Sequence, residues 1–151
     1  MTLARDLVRP CSAVRVDDGA RAAARLLVGE RLPALLVVDR VGFPYAIVPA
    51  PQLLTALVQK SGEPELRPAV TTADRREKAR GTLSGLSVGD WLPRLRATPG
   101  LVGPESSPLE VAALMARKDC PVAVIEREDA SVSLLGAITA DVLFEHFIGG
   151  P

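Results

Sequence analysis

Aromatic residues are scarce in this sequence, which limits both its core and its partners. Phe, Trp and Tyr make up 3% of the 151 residues, so the core must be built from Ala, Val, Leu and Ile. An aliphatic core of this kind suits helices packed on a sheet. Trp91 stands alone. It therefore offers no platform of rings for stacking single-stranded nucleic acid, and we expect it to anchor a linker to the core.

Histidine and cysteine are scarcer still, so the sequence offers few candidate catalytic side chains. His146 is the single histidine, near the end of a predicted last helix, where a cation is favoured. No Ser/His/Asp set can be assembled around it. Cys11 and Cys120 are far apart and lack the spacing of a zinc site, so we expect two reduced, partly buried thiols. Phosphate-binding GxxxxGK[ST] and zinc-binding HExxH patterns are also missing. We predict that the protein is not an enzyme.

The chain has no excess of either charge and no long apolar run. Lys and Arg number 18, as do Asp and Glu, so nothing directs the chain to nucleic acid or to an anionic membrane. Apolar runs such as residues 33–38 are too short to span a bilayer. Arg5, Asp6 and Arg9 interrupt the apolar stretch that a signal peptide needs. We therefore predict a cytoplasmic protein without nucleic-acid partners or membrane insertion.

The sequence contains an internal repeat, in which three segments of the first half match three segments of the second. The matching segments are 6–8 with 90–92, 18–37 with 106–125, and 46–48 with 136–138, at offsets of 84, 88 and 90. Each match is gapless, and the drift between offsets is expected where loops of unequal length join equivalent elements. Repetition of this kind indicates a duplicated supersecondary unit.

Each copy predicts the order strand, helix, strand, strand, helix. A polar start caps the first helix, most clearly at the Ser-Pro of 107–108, because proline is tolerated at the first helical position. A proline then precedes a short apolar run, residues 34–38 or 122–125, as expected for a strand buried on both faces. A second strand leads into a closing helix, residues 51–58 or 141–148. The predicted fold class is α/β (α+β), built from tandem βαββα units.

The repeat implies boundaries at 1–58 for the first copy, 59–86 for a linker and 87–151 for the second copy. Residues 73–82 of the linker are crowded with charge. They predict a solvated linker helix, with a docking surface for a partner protein as the alternative. The acidic group at 126–129 either keeps an exposed turn soluble or ligates a hard cation.

This duplicated unit resembles the tandem cystathionine-β-synthase (CBS) domain pair, also called a Bateman module. The resemblance rests on the Asp-hydrophobic-hydrophobic opening, the Ala-rich helix, the proline-bounded strand, and the segment 136–139 leading into 141–143. It implies two copies packed sheet against sheet around a pseudo-two-fold axis, and a homodimer of such chains. It also implies clefts between the copies that bind AMP, ADP, ATP or S-adenosylmethionine as regulatory ligands. The signal would then pass to a separate effector protein, an enzyme or a transporter.

The resemblance further implies which residues would contact such a ligand. The family has a Gly-h-h-Thr/Ser-x-x-Asp segment, in which h is a hydrophobic residue and x is any residue. Its hydroxyl contacts phosphate or ribose, and its carboxylate accepts hydrogen bonds from the ribose hydroxyls. Here Gly136 and Thr139 match, whereas Val142 stands where the Asp belongs. Asp141 comes one residue early, which turns its side chain by about 100° on a helix.

The first copy matches this segment less well. Pro49 replaces the hydroxyl residue, and Gln52 replaces the Asp. Because proline offers neither a hydroxyl nor a backbone N–H, the first cleft is the poorer candidate. The resemblance also implies that adenine would be held largely by backbone groups of the buried strands. The alternative is that the residues there serve only as strand core. The positions concerned are Ala34, Leu35, Val122 and Ala123.

Two functions stay open at this point. One is a sensor of an adenosine-containing ligand that requires no cofactor and signals to a partner. The other is a CBS pair without a ligand, acting only as a dimerisation or docking module. Pro49, Gln52 and the displaced Asp141 favour the second.

Overall fold

The computed structural model describes residues 1–61, 72–94 and 98–149, with the backbone alone for residues 72–75. The helices are α1 (Ala4–Leu7), α2 (Ala20–Glu30), α3 (Ala50–Lys60), α4 (Thr72–Gly85), α5 (Val88–Trp91), α6 (Pro108–Lys118) and α7 (Ala140–Ile148). The strands are β1 (Ala13–Arg15), β2 (Ala34–Val38), β3 (Pro44–Pro49), β4 (Leu101–Val102), β5 (Val122–Glu128) and β6 (Ser131–Ile138). The strand-helix-strand-strand-helix order occurs twice, so the predicted fold class is confirmed.

The strands form two separate three-stranded sheets, ordered β1-β2-β3 and β4-β5-β6. In each sheet the first two strands are parallel and the last two are antiparallel. Strand β2 is buried along its whole length, as its continuous apolar run predicts. A cluster of side chains from both sheets, including Ala34, Leu36, Ile47 and Ala123, packs between them. The sheets therefore face each other, and the helices cover their outer sides.

Strand pairing corrects the alignment of the two copies. Helices α2 and α6 are 88 residues apart, and both end in a left-handed residue, Arg31 or Asp119, with φ of 52°. The irregularity in the β2–β3 ladder lies at 37–38 and that in the β5–β6 ladder at 124–125, an offset of 87. The connection after the first helix is thus one residue longer in the first copy. The predicted gapless alignment is wrong by one residue within this strand.

The short helices α1 and α5 each pack against the copy to which they do not belong in sequence. Helix α1 docks on the second copy, where the Ala4 N–H donates to the Ser106 carbonyl at 2.8 Å. Helix α5 docks on the first copy in the same way, and the Val88 N–H donates to the Asp18 carbonyl at 2.7 Å. The start of the chain thus completes the second core, and residues 88–92 complete the first. The boundaries at 58 and 86 stay predictions.

The predicted charged helix is present as α4, and its described side chains are mostly exposed. An ion pair of 3.2 Å joins Arg80 to Glu77 on its surface. Leu83 and Trp91 pack against the first core, and the Trp91 Nε1–H donates to the Leu53 carbonyl at 3.1 Å. The early linker, residues 62–71, lies outside the described residues. Among the helices that are described, none is long and apolar enough to cross a membrane.

Candidate functional site

Thr139 and Asp141 meet where β6 gives way to α7. Strand β6 ends at Ile138, and Thr139 occupies the N-cap position of the helix with extended backbone. Its hydroxyl donates to the Asp141 carboxylate instead of accepting from a helix amide. The structure therefore brings these two predicted residues into direct contact.

A cavity of about 560 Å³ opens beside this pair. Its walls come from both copies, since Pro33 and Pro49 of the first copy face α6 and α7 of the second. This volume lies within the range of about 300–1,000 Å³ that is usual for small-molecule sites. Most of its lining is apolar. Apart from prolines and alanines, the lining residues are Met115, Asp119, Cys120, Thr139, Asp141, Leu143, Phe144 and Phe147.

A second cavity, of about 240 Å³, lies on the other side of Thr139. Arg9, Cys11 and Glu30 line it, together with Ala34 of β2. Glu30 also accepts a hydrogen bond of 3.0 Å from the Ser12 hydroxyl. The sequence pattern did not identify Arg9 or Glu30 as site residues, because the motif carries information only about the segment around Thr139.

The region of the first copy that corresponds to the Thr139 segment borders a far smaller cavity, of about 30 Å³. Pro49, Gln52, Thr98 and Lys118 line it, and the Lys118 ammonium donates to the Thr98 hydroxyl at 3.0 Å. This space admits about one or two water molecules. Gln52 as a ligand contact stays a prediction.

The predicted strand residues differ in their surroundings. Ala34 is 6% exposed and lines the 240 Å³ cavity. Leu35 and Val122 are fully buried in the cores beneath the helices, and Ala123 is buried between the sheets. A role for these strands in adenine binding through their backbone stays a prediction.

Gly136 has a structural task that the motif did not reveal. Its φ is +147°, and a Cβ added to it would lie 2.1 Å from the Arg9 carbonyl oxygen. Arg9 and Ala137 exchange two backbone hydrogen bonds of 3.1 Å each. Glycine is therefore needed for the chain start to lie against β6. A ligand contact at Gly136 stays a prediction.

Both cysteines are free and partly buried, as predicted. Burial raises the pKa of the Cys120 thiol to about 11, with the neighbouring Asp119 carboxylate adding to the effect. Burial also raises the pKa of Cys11, aided by Glu30. Within the part of the chain that the structure describes, no group of three or more His, Cys, Asp or Glu could hold a metal ion. The predicted alternative of a hard-cation site at 126–129 thus gains no support.

Comparison with known proteins gives a consistent result at the level of structure. No protein-family model and no curated protein sequence matches the chain. A CBS-domain-containing protein of unknown function from Kribbella flavida matches at 32% identity and a TM-score of 0.81, covering 99% of this chain and 100% of its own. CBSX2 of Arabidopsis thaliana in complex with AMP matches at 18% identity and a TM-score of 0.67, covering 98% and 97% of the two chains.

A third similar structure is the CBS domain of a bacterial CNNM/CorC-family Mg²⁺ transporter in complex with ATP. It matches at 14% identity and a TM-score of 0.65, covering 99% of this chain and 89% of its own. CBS pairs are generally regulatory modules rather than enzymes. The fold, the duplicated unit and the similarity over the full length of the Kribbella flavida protein agree, and this chain therefore belongs to the CBS-domain-pair proteins.

Proposed function

We propose that this chain is a regulatory module that binds an adenosine-containing ligand beside Thr139 and Asp141 and signals to a separate partner protein. The observation that carries the proposal is the 560 Å³ cavity, whose wall includes both of these polar side chains. Two CBS structures of the same fold are complexes with AMP and with ATP, which supports an adenine nucleotide or related compound as the ligand class.

The chemistry of the pair suits a ribose. A carboxylate accepts hydrogen bonds without donating any, so Asp141 can receive ribose O–H groups. The Thr139 hydroxyl both donates and accepts, and it can turn from Asp141 towards a ligand. The remaining apolar lining, including Phe144 and Met115, suits the flat face of a purine. No catalytic group is part of this proposal, which treats the chain as a binding module in the cytoplasm.

Signalling would follow from the position of the cavity between the copies. A ligand that contacts Pro33 or Pro49 on one side and α7 on the other favours one relative arrangement of the copies over others. The arrangement of the outer helices would change with it. A partner protein would read that change.

A homodimer is part of the same proposal, supported by exposed apolar residues at equivalent positions of the two closing helices. Leu54 on α3 and Phe144 on α7, which are 90 residues apart in sequence, are 62% and 66% exposed. Val58 and Ile148 repeat the pattern one turn later, at 48% and 82%. Exposed apolar rows of this kind mark interaction surfaces. A second copy of the chain would cover them.

Thermal denaturation with a ligand panel tests the binding proposal. At 100 times its dissociation constant, a ligand stabilises the fold by about 2.7 kcal/mol, which raises the melting temperature by roughly 5–11 °C for a chain of this size. The panel comprises AMP, ADP, ATP, NAD and S-adenosylmethionine. Thr139→Val should reduce the shift, because it keeps the side-chain shape and removes the hydroxyl.

Thr55→Val provides the matched control, since Thr55 lies on the exposed face of α3 and its hydroxyl donates locally to the Pro51 carbonyl. This variant should retain the full shift. If no compound in the panel raises the melting temperature, the second candidate replaces the first. That candidate is a ligand-free docking module, and the 30 Å³ cavity at Gln52 is the observation that favours it.

A further inference from the structure

The hairpin of β5 and β6 extends beyond the strand that borders it. Strand β6 pairs with seven residues of β5, whereas β4 pairs with two, Ala123 and Val124. Along residues 125–128 the outer edge of β5 therefore has no strand beside it in the part of the chain that the structure describes. The first copy lacks such an edge at this end, because β1 pairs as far as Val38, where β2 ends.

A proline prevents β4 from continuing along this edge. In the parallel ladder the Ala123 N–H donates to the Gly100 carbonyl at 3.0 Å. Two residues further on, the same pattern requires residue 104 to donate to the Ile125 carbonyl, but Pro104 has no N–H. Since backbone groups alternate in direction along a strand, the Arg127 N–H and carbonyl face the same open side. Three backbone groups of β5 are thus placed to pair with an added strand.

A cavity of about 410 Å³ borders this edge on the helix-covered face of the sheet, and we call it the acidic cavity. Its charged lining residues are Glu105, Glu110, Glu126 and Arg127. Val124 belongs to the core beneath the helices, so Glu126, two residues on, lies on the same face. Arg5 pairs with Glu105 at 3.5 Å, but both side chains are more than half exposed, so this ion pair is weak. The acidic cavity therefore favours basic side chains.

A second cavity, of about 360 Å³, borders the same edge on the other face, and we call it the apolar cavity. Its lining residues are Leu101, Val102, Gly103, Pro104, Ile125 and Arg127. Ile125 pairs with Leu134, which packs in the cluster between the sheets, so Ile125 faces that side. Side chains of an added strand also alternate between the two faces. One of them would reach the acidic cavity, and its neighbour would reach the apolar cavity.

We propose that the open edge of β5 binds an extended segment of a partner protein in which basic and apolar side chains alternate. Backbone hydrogen bonds to β5 would supply affinity, and the two cavities would select the side chains, as in β-strand addition. Neither cavity shares a lining residue with the cavities at Thr139 or Gln52. This surface is therefore separate from the proposed ligand site, and the inference does not depend on a ligand.

A second copy of this strand is a poorer occupant of the edge. If two chains paired antiparallel about Arg127, that residue would lie opposite its own copy, and Glu126 would lie opposite Glu128. Pairing about Glu126 would place two Glu126 side chains opposite each other. Like charges directly opposite one another destabilise a sheet. A segment that places Lys or Arg beside Glu126 and an apolar residue beside Ile125 avoids this repulsion.

Fluorescence anisotropy of the full chain with a labelled Lys-Val-Lys-Val-Lys-Val peptide tests the proposal. We expect saturable binding. A Glu-Val-Glu-Val-Glu-Val peptide keeps the strand-forming pattern and reverses the charge, so it should bind about tenfold more weakly. Added salt should weaken binding of the Lys-Val peptide, because it screens the attraction to the acidic cavity.

Two substitutions of Arg127 separate the backbone from the side chain. Arg127→Pro removes the N–H at the open edge and leaves the pairing with β6 in place, because that N–H faces away from β6. Arg127→Ala is its matched control, since it removes the side chain and leaves the N–H. The proline variant should bind the Lys-Val peptide about tenfold more weakly, or not at all. The alanine variant should bind it at least as tightly as the unaltered chain.

The acidic cavity has its own pair of variants. Glu126→Gln should weaken binding of the Lys-Val peptide about threefold, because it removes one carboxylate from the cavity lining. Glu128→Gln removes the same charge from the next outward position of β5 on that face, and Glu128 lines neither cavity. This control should change the affinity less than Glu126→Gln does.

Amide exchange on the unaltered chain gives a readout that needs no variant. Bound peptide should slow exchange of the Arg127 amide, while the Glu126 and Glu128 amides, which face β6, should change little. The proposal is overturned if the Lys-Val peptide does not bind, if Arg127→Pro and Arg127→Ala weaken it equally, or if the Arg127 amide gains no protection. Conversion of a dimer to monomer by Arg127→Pro would instead identify a second copy as the occupant, and the basic partner would be excluded.

Discussion

Replacing Gly136 with alanine adds a methyl group where the backbone of Arg9 already lies. The added Cβ would stand 2.1 Å from the Arg9 carbonyl oxygen and 2.8 Å from its carbon. Both distances are far below van der Waals contact, and the neighbour is backbone, so the chain start must move away from β6. Moving it breaks the two hydrogen bonds between Arg9 and Ala137.

The cost has two parts. Two backbone hydrogen bonds contribute about 1 kcal/mol each, and an alanine at φ of +147° adds about 1–3 kcal/mol of backbone strain. We expect Gly136→Ala to lower the free energy of unfolding by about 3–5 kcal/mol. That is a large share of the roughly 5–15 kcal/mol that stabilises a typical domain. Urea denaturation followed by circular dichroism measures the change.

Gly42→Ala is the control that isolates backbone strain. Gly42 also has a positive φ, of +87°, but a Cβ added there meets nothing within 4 Å. Its replacement should cost only the strain, about 1–2 kcal/mol. Amide exchange adds an independent readout, because the Arg9 and Ala137 amides should lose protection in Gly136→Ala and keep it in Gly42→Ala. Equal destabilisation by the two substitutions would refute the close approach between Arg9 and β6.

Two further predictions concern the cysteine beside the cavity and the exposed helix faces. Because the pKa of Cys120 is raised to about 11, the rate of its alkylation should keep rising from pH 8 to pH 11. Since the unfolded thiol ionises at lower pH, this group should reduce stability as pH rises through that range. A plateau near pH 9 would contradict the burial of the thiol. Leu54→Ser with Phe144→Ser should shift the chain to monomer in sedimentation velocity, whereas Val41→Ser, at a side chain that is 84% exposed but lies in the β2–β3 turn, should not. A monomeric starting protein would exclude the dimer.

Local sequence features predicted the repeated elements because each is encoded within a few neighbouring residues. The Ser107-Pro108 start of α6 and the apolar run of β2 are examples, since capping and continuous burial leave direct traces in residue type. The alignment error in the strand arose because Pro33 and Pro121 match in type although the connections differ in length. The matching prolines set the sequence alignment, whereas the true register of the two strands is visible only in their pairing within the sheets.

The exchange of the short helices and the composition of the cavity could not be predicted in this way. Helices α1 and α5 are four residues each, and their sequences do not specify which copy they pack against. The motif led to Thr139 and Asp141, which are near each other in sequence. Asp119 is remote from the motif in sequence, and Phe147 lies about one turn beyond it. Both line the same cavity because α6 packs on α7.

The two copies differ where they would bind ligand, and this predicts one site per chain. Glu30 and Lys118 occupy the same position at the ends of α2 and α6, yet one borders a cavity of about 240 Å³ and the other one of about 30 Å³. The Lys118 side chain lies against Gly100 and bonds to Thr98, which fills the smaller space. Pro49 precedes α3 where Thr139 precedes α7, so the cleft of the first copy lacks the hydroxyl that Thr139 supplies to the cleft of the second. We therefore expect the proposed ligand to bind only in the cleft at Thr139.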